Sequence, residues 1–272
     1  MLGTMTELQH FVEAHQRSDD AELAAALVRH AGALALQMRT TGLDTDIKTS
    51  ISDVVTDADR TAEAFVASAL AILRPDDGLL GEEGASRESR SGRTWVVDPV
   101  DGTYNFSRGL DYFCSALAYV EGEAVLIGAV NRPSTDTTWL AHRGVLTRDG
   151  QPVPPLADAP LSEVALATYL HPTSIRREHV RAAWQEVAQD AATVRMLGAG
   201  SLDLAAVATG ELGGWLQHSV ADWDWFPGKA LVEAAGGEAI KVDAGGRTWC
   251  VAGNRLFVAD VTARLGKHVS LR

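Results

Sequence analysis

Thr94-Trp95-Val96-Val97-Asp98-Pro99-Val100-Asp101-Gly102-Thr103 is an apolar run that ends in two acids. Four strand-forming residues without alternation read as a buried strand, and Asp98 falls at its C-terminal edge. Pro99 restrains the backbone, so Asp101 follows about one turn later at an apparent helix start. Two carboxylates spaced this way can point at one spot. Gly102 and Thr103 then present backbone N–H groups where a helix begins, a place that favours an anion. A plain turn with an Asp cap fits the same letters, so the segment needs company before it becomes a site.

Outward from this strand the chain divides in two. Before it, residues 20–39 carry Leu23, Leu27, Leu34 and Met38 mostly at helical spacing, with Asp20 as the expected cap. A second helix is expected from Asp59 to Leu73, burying Phe65, Val66 and Leu70 and stopping before Pro75. Residues 76–93 are polar and Gly-rich and read as a loop. After the strand, residues 112–141 read as successive antiparallel strands, with turns at Glu121-Gly122-Glu123 and Arg148-Asp149-Gly150-Gln151. The segment 151–160 holds Pro152, Pro154, Pro155 and Pro160 and suits a crossing. Beyond it, strands at 163–169, 194–197 and 213–217 alternate with helices at 176–189, 201–209 and 225–235, the order of a layered α/β unit. An N-terminal α+β lobe (1–150) and a C-terminal α/β lobe (151–272) in one compact unit are therefore expected.

Composition narrows the chemistry. The 36 acidic side chains exceed the 24 basic ones, giving a formal charge of −12. A nucleic-acid partner is disfavoured, because such binders present a basic face. An anionic substrate would need a cation between it and the protein. The N-terminus lacks a basic start and an apolar core, so no signal peptide is read. The apolar stretch 21–38 is broken by Arg29 and His30 and is too short to span a bilayer. No membrane partner and a cytoplasmic location are expected. Cys114 and Cys250 are the two cysteines and form no CxxC pattern or secreted framework.

Three further acidic segments accompany the central one. Leu79-Leu80-Gly81-Glu82-Glu83-Gly84 alone reads as a surface turn. Asp222-Trp223-Asp224-Trp225-Phe226 places Asp224 among aromatics before Pro227, where desolvation is costly unless a cation is met. Ser52-Asp53-Val54-Val55-Thr56-Asp57-Ala58-Asp59 leads into the second helix and could simply cap it. Each has an ordinary explanation, but together they form an oxygen-only set without histidine, which favours Mg²⁺ or Mn²⁺ over Zn²⁺. Carboxylates converging beside anion-binding N–H groups suit metal-assisted phosphoryl transfer, in which the ions neutralise the phosphate, activate water and stabilise the leaving oxygen. No GxSxG elbow or GxxxxGK[ST] loop is present, which argues against a serine hydrolase or a P-loop enzyme. A non-catalytic metal- or anion-binding regulator is the alternative from another class.

In combination these residues resemble the inositol monophosphatase family. GEE at 81–83, WVVDPVDGTYNF at 95–106, and WD at 223–224 followed by EAAGG at 233–237 match its motifs in order. SDVVTDAD at 52–59 and GAGSLDLAAVATGEL at 198–212 add to the likeness, which spans roughly 48–240. The resemblance implies a five-layer αβαβα sandwich, a homodimer, lithium sensitivity and two to three Mg²⁺ per subunit. It assigns Glu82, Asp98 and the Val100 carbonyl to a first metal, and Asp98, Asp101 and Asp224 to a second. Glu82 would help hold a third, with Asp59 acting through water. Glu82 and Thr103 would orient the attacking water, and Asp101, Gly102 and Thr103 would meet the phosphate. Gly200, Ser201, Gln217 and Asp224 would face the rest of the substrate, with a water near Asp224 protonating the leaving group. Three positions depart from the family pattern: Tyr104 after DGT, Gln217 where inositol-specific members often carry glutamate, and Trp225-Phe226-Pro227 after WD. The implied activity is hydrolysis of a small phosphomonoester, inositol monophosphate first. Histidinol phosphate is the runner-up, followed by sugar or adenosine bisphosphates.

Overall fold

The computed structural model describes residues 2–42, 45–50 and 53–268. Of the acidic segment 52–59, Ser52 lies outside the described residues. The apolar run 94–97 is the core of a nine-residue strand, Arg93–Asp101, whose side chains from Trp95 onward are buried. It lies inside an eight-stranded sheet and is buried on both faces because helices cover each side, Trp95 and Val97 facing one layer and Val96 the other. The strand order is Gln151–Pro152, Val145–Arg148, Thr137–His142, Ala124–Arg132, Cys114–Glu121, Arg93–Asp101, Gly78–Gly81, Ser86–Arg87. Only the Gly78–Gly81 neighbour runs parallel to the central strand, and the remaining pairs are antiparallel. The loop expected over 76–93 thus contains two short strands, and their shortness hid them from periodicity. Pairing with Cys114–Glu121 breaks register between Asp98 and Asp101. That irregularity turns both acids toward the end of the sheet rather than to opposite faces.

A second sheet of five strands follows in the order Thr193–Arg195, Ala165–Thr168, Gly214–His218, Arg247–Gly253, Glu238–Ala244. Helices Gly200–Ala208 and Asp222–Ala234 fill the space between the sheets, in a core that includes Leu204, Val207, Trp215, Trp225 and Leu231. Helices Asp20–Thr41 and Asp57–Leu73 cover the outer face of the first sheet through Leu23, Leu27, Val66 and Leu70. Helices Glu178–Ala188 and Arg255–Leu265 cover the second through Val180, Val187, Phe257 and Val261. The layers are α, β, α, β, α.

Local chemistry explains most boundaries. The cap of helix Asp20–Thr41 is Asp19, not Asp20: Asp19 accepts the Glu22 N–H while the Glu22 carboxylate accepts the Asp19 N–H. Asp20 pairs instead with Arg74 at 2.7 Å. Helix Asp57–Leu73 begins two residues before the expected Asp59, because Thr56 caps it in a second reciprocal box with Asp59. The helix expected at 225–235 begins at Asp222 and runs through Pro227. Pro227 withholds an N–H from the Trp223 carbonyl, which the helix tolerates in its second turn. Strand Ala124–Arg132 passes so close beneath this helix that any Cβ on Gly128 would strike the Pro227 carbonyl. Trp225 is core, 2% exposed and stacked on Trp215 at 5.9 Å, and Phe226 packs beside Val96, Ala118 and Val120. The two aromatic departures after WD therefore serve packing. Cys114 and Cys250 are both buried and unpaired.

Candidate active site

The bulge at Pro99 delivers Asp98 and Asp101 to one place, and the first turn of helix Asp222–Ala234 brings Asp224 from the other half of the chain. These three side chains offer oxygens that all lie within 4.8 Å of one another. Asp98 is 1% and Asp101 7% exposed, and Asp224 is half-buried. Burial pushes Asp98 well above the usual carboxylate range, reinforced by the charges of Glu82, Asp101 and Asp224. Asp101 is pushed up to about 6 by burial, although N–H donors oppose the shift. Its carboxylate accepts the backbone N–H of Gly200 at 3.1 Å and that of Ser201, both in the first turn of helix Gly200–Ala208. Acids packed this closely repel one another unless a cation or protons separate them. A divalent cation with oxygen ligands fits this donor set.

Glu82 stands beside Asp98 on the loop after strand Gly78–Gly81. Glu63 holds that loop: its buried carboxylate accepts Glu83 N–H at 2.8 Å and Ala85 N–H at 2.7 Å. A Cβ on Gly81 would collide with the same carboxylate, so the glycine is needed for the close approach. Sequence reading passed over Glu63. The signal was present, since Asp59, Ala62, Glu63, Val66 and Leu70 form one buried stripe at helical spacing with a charge in it.

Val100 lies at the turn, where its carbonyl accepts the Thr103 hydroxyl at 2.9 Å. The same hydroxyl lies 3.1 Å from Asp59 Oδ1. Asp59 is fully buried, accepts the Thr56 N–H at 2.9 Å and the Thr56 hydroxyl, and is pushed up to about 6 by burial. It stands behind Thr103. Gly102 adopts a left-handed conformation at φ 91°, and a Cβ there would come within 3.0 Å of Ala199. The helix it opens, Thr103–Ser107, has five residues. An anion there would be held by the local N–H donors, since so short a helix adds little dipole.

These residues open on a cavity of about 490 Å³. Glu82, Asp101, Gly102, Thr103, Gly200, Gln217 and Asp224 line it, joined by Tyr104, Tyr169, Asp203 and Trp215. Ser201 does not line it; the side chain is fully buried and its backbone serves Asp101. Asp98 is likewise absent from the wall, lying beneath it. Asp203 was not foreseen. It is 2% exposed, accepts the Tyr112 hydroxyl at 2.7 Å and is pushed up to about 7 by burial. Asn105 was also missed; its amide donates to the carbonyls of Tyr112 and Leu197 at 2.9 and 2.7 Å and ties the two halves together behind the Gly102 turn.

This fold and acidic cleft match known proteins. The family model described as "Inositol monophosphatase family" matches residues 16–269, and the chain belongs to that family. An inositol-1-monophosphatase of Rhizobium meliloti is 35% identical over 202 residues, covering 72% of this chain and 75% of that protein. A histidinol-phosphatase of Mycobacterium tuberculosis is 32% identical over 268 residues, covering 91% and 98%. Among solved structures, the extragenic suppressor protein suhB of Bartonella henselae superposes with a TM-score of 0.81 at 25% identity, covering 89% of this chain and 96% of that one. The inositol monophosphatase of Thermotoga maritima gives 0.78 at 25% identity, covering 90% and 96%. The chain is a phosphomonoester hydrolase of this family. No helix among the described residues is long and apolar enough to cross a membrane.

Proposed function

We propose that this chain hydrolyses a small phosphomonoester with Mg²⁺, inositol monophosphate being the first substrate to test. One observation carries the reading. Three carboxylates crowd the end of a cavity whose lining, among the described residues, holds no Lys, Arg or His. A phosphate dianion cannot approach such a wall unless cations stand between. Glu82, Asp98, the Val100 carbonyl, Asp101 and Asp224 would hold two to three Mg²⁺, with Mn²⁺ as a substitute. When bound, the ions supply charge neutralisation and Lewis acidity, lowering the pKa of water at the site.

The chain's own groups do the rest. The N–H groups of Gly102 and Thr103 donate to phosphate oxygens and fix the phosphorus. Thr103 donates its hydroxyl hydrogen bond to Asp59 or to the Val100 carbonyl, which leaves its oxygen lone pairs to accept from an attacking water. Glu82 takes a proton from that water, and Asp59 keeps Thr103 in place. Asp224, reaching in from the opposite side, holds the water that protonates the leaving alkoxide. Gly200 and Gln217 face the leaving group, and Ser201 acts by holding Asp101.

Histidinol phosphate is a second reading with its own support. The histidinol-phosphatase relative aligns over nearly its whole length. The far wall offers the partly exposed Tyr169 ring and the Gln217 amide, which suit a flat leaving group with hydrogen-bonding nitrogens. A substrate panel with Mg²⁺ decides, comparing inositol 1-phosphate, histidinol phosphate, fructose 1,6-bisphosphate and adenosine 3′,5′-bisphosphate by kcat/KM. The first reading expects inositol 1-phosphate to lead. Histidinol phosphate ahead by tenfold or more overturns it in favour of the second, and turnover of none of them, with or without Mg²⁺, removes both.

A further inference from the structure

A second cavity, about 300 Å³, lies on the other side of the wall formed by Tyr112 and Leu197, and it is basic in a chain of net charge −12. Strand register builds it. Arg132 pairs with Thr137 across one hairpin, and Trp139, two residues on, pairs with Arg148 across the next. Residues i and i+2 share a sheet face, so Arg132, Thr137, Trp139 and Arg148 all project to one side. Aromatic rings steer both guanidinium groups: Arg132 lies over Tyr112 and Arg148 over Trp139, each 5.5 Å from the ring centre.

The hydrogen-bonding state of this cavity is incomplete. Arg132 donates through Nε to Ser134 at 3.2 Å, and among the described residues no carboxylate pairs with it. Arg148 pairs with Glu211 at 3.2 Å, but both side chains are about half exposed, a weak pair that a stronger acceptor can displace. Trp139 is 5% exposed, and its indole N–H is buried without an acceptor. A buried donor left without a partner is unusual in a folded protein and marks a place for a ligand or water. Two guanidinium groups and Trp139 line the cavity, and the hydroxyls of Thr135 and Thr137, bonded to each other at 3.0 Å, can turn to an incoming oxyanion.

We propose that this cavity is a second anion site, separate from the reacting phosphate, for a small phosphate or carboxylate. Two residues tie it to the catalytic side. Tyr112 donates its hydroxyl to Asp203 in the catalytic wall, and Leu197 lines both cavities while its carbonyl holds Asn105 of the phosphate turn. An anion drawing Arg132 away from Tyr112 acts on that shared wall, so occupancy alters KM for the substrate.

Calorimetric titration of the full chain with inorganic phosphate, with Mg²⁺ and again with chelator, tests this. Without the metal the acidic cleft repels phosphate, so heat that persists in chelator reports the second site. The paired substitution R132A/R148A is expected to weaken that binding at least tenfold and to abolish the dependence of KM on added phosphate, while the melting temperature and kcat stay as in the wild type. Citrate as a second probe separates a general carboxylate or phosphate receptor from a phosphate-selective one. Phosphate heat in chelator that is absent from the wild type, or unchanged in R132A/R148A, overturns the proposal. So does sedimentation showing that the substitutions only convert a dimer to a monomer, because the cavity would then be a contact between copies. None of these results bears on metal-dependent turnover, so the hydrolase reading stands or falls separately.

Discussion

The two ends of the catalytic cavity are built to different rules. At the end proposed to hold phosphate, buried partners back three of the groups: Glu63 behind the Glu82 loop, Asp59 behind Thr103, and the Gly200 and Ser201 N–H groups behind Asp101. At the end proposed to face the leaving group, Gln217 and Tyr169 are half-buried or nearly so and come from the second sheet and its connections. Rigid backing suits a reaction whose geometry is the same for every phosphomonoester. A less constrained wall suits a fold that accepts different alcohols, since specificity lives in side chains grafted onto a common frame.

The difference can be broken most severely at Asp98. Asp98→Asn should lower kcat/KM by about 10²–10³ or more and remove Mg²⁺ binding by calorimetry, since a ligand and a negative charge disappear together. In chelator the same variant should melt higher than the wild type, because the crowding of acids that raises Asp98 is relieved. Activity near the wild-type level would show that the metals lie elsewhere.

Next in size is Gly102→Ala. The φ of 91° disfavours any Cβ, and Ala199 stands 3.0 Å from where it would sit. Misplacing the phosphate turn by about 1 Å should cost about 10² in kcat, with ~1–2 kcal/mol of stability lost in urea denaturation. A smaller fall is expected for Glu63→Gln, which keeps one of the two N–H bonds and loosens the Glu82 loop. Mg²⁺ affinity and kcat/KM should drop about 10-fold, the lower end for a residue that orients a ligand without touching metal. At the permissive end, Gln217→Glu should change KM for inositol 1-phosphate by less than about tenfold and leave kcat nearly unchanged. A large kcat effect there would erase the contrast between the two ends.

Smallest is a pH effect on the metal-free chain. Asp59 and Asp101 stand at about 6 when folded, and burial and neighbouring acids also raise Asp98. Unfolded aspartates titrate near 4, so between pH 4 and 6 the folded chain binds more protons and stability rises as pH falls. The melting temperature in chelator should climb by about 2–4 °C from pH 7.5 to 5.5, the shift that ~1 kcal/mol gives a domain of this size. Saturating Mg²⁺ should reverse the slope, because a bound cation favours the ionised ligands.

Much of this was legible from residue order alone. The apolar run ending at Asp98, the alternating order after residue 160 and the oxygen-only acidic set pointed to the layered fold and to metal-assisted phosphate chemistry, because burial, periodicity and ligand type are properties of short segments. Short segments also misled. The strands Gly78–Gly81 and Ser86–Arg87 are too brief to show a period, and Asp20 looked like a cap until the reciprocal pairing of Asp19 with Glu22 was visible.

What only the tertiary structure decided is which distant groups meet. Glu63 reads as one more acid on a helix until strand Gly78–Gly81 docks against it, and Asp203 as a polar residue in an apolar helix until Tyr112 arrives from the first sheet. The aromatic residues after Asp224 read as a departure in the pocket, yet Trp225 packs inward on Trp215. Sequence carries local propensity and the identity of side chains; the register between sheets, which sets every one of these contacts, is fixed by long-range packing that no single segment encodes.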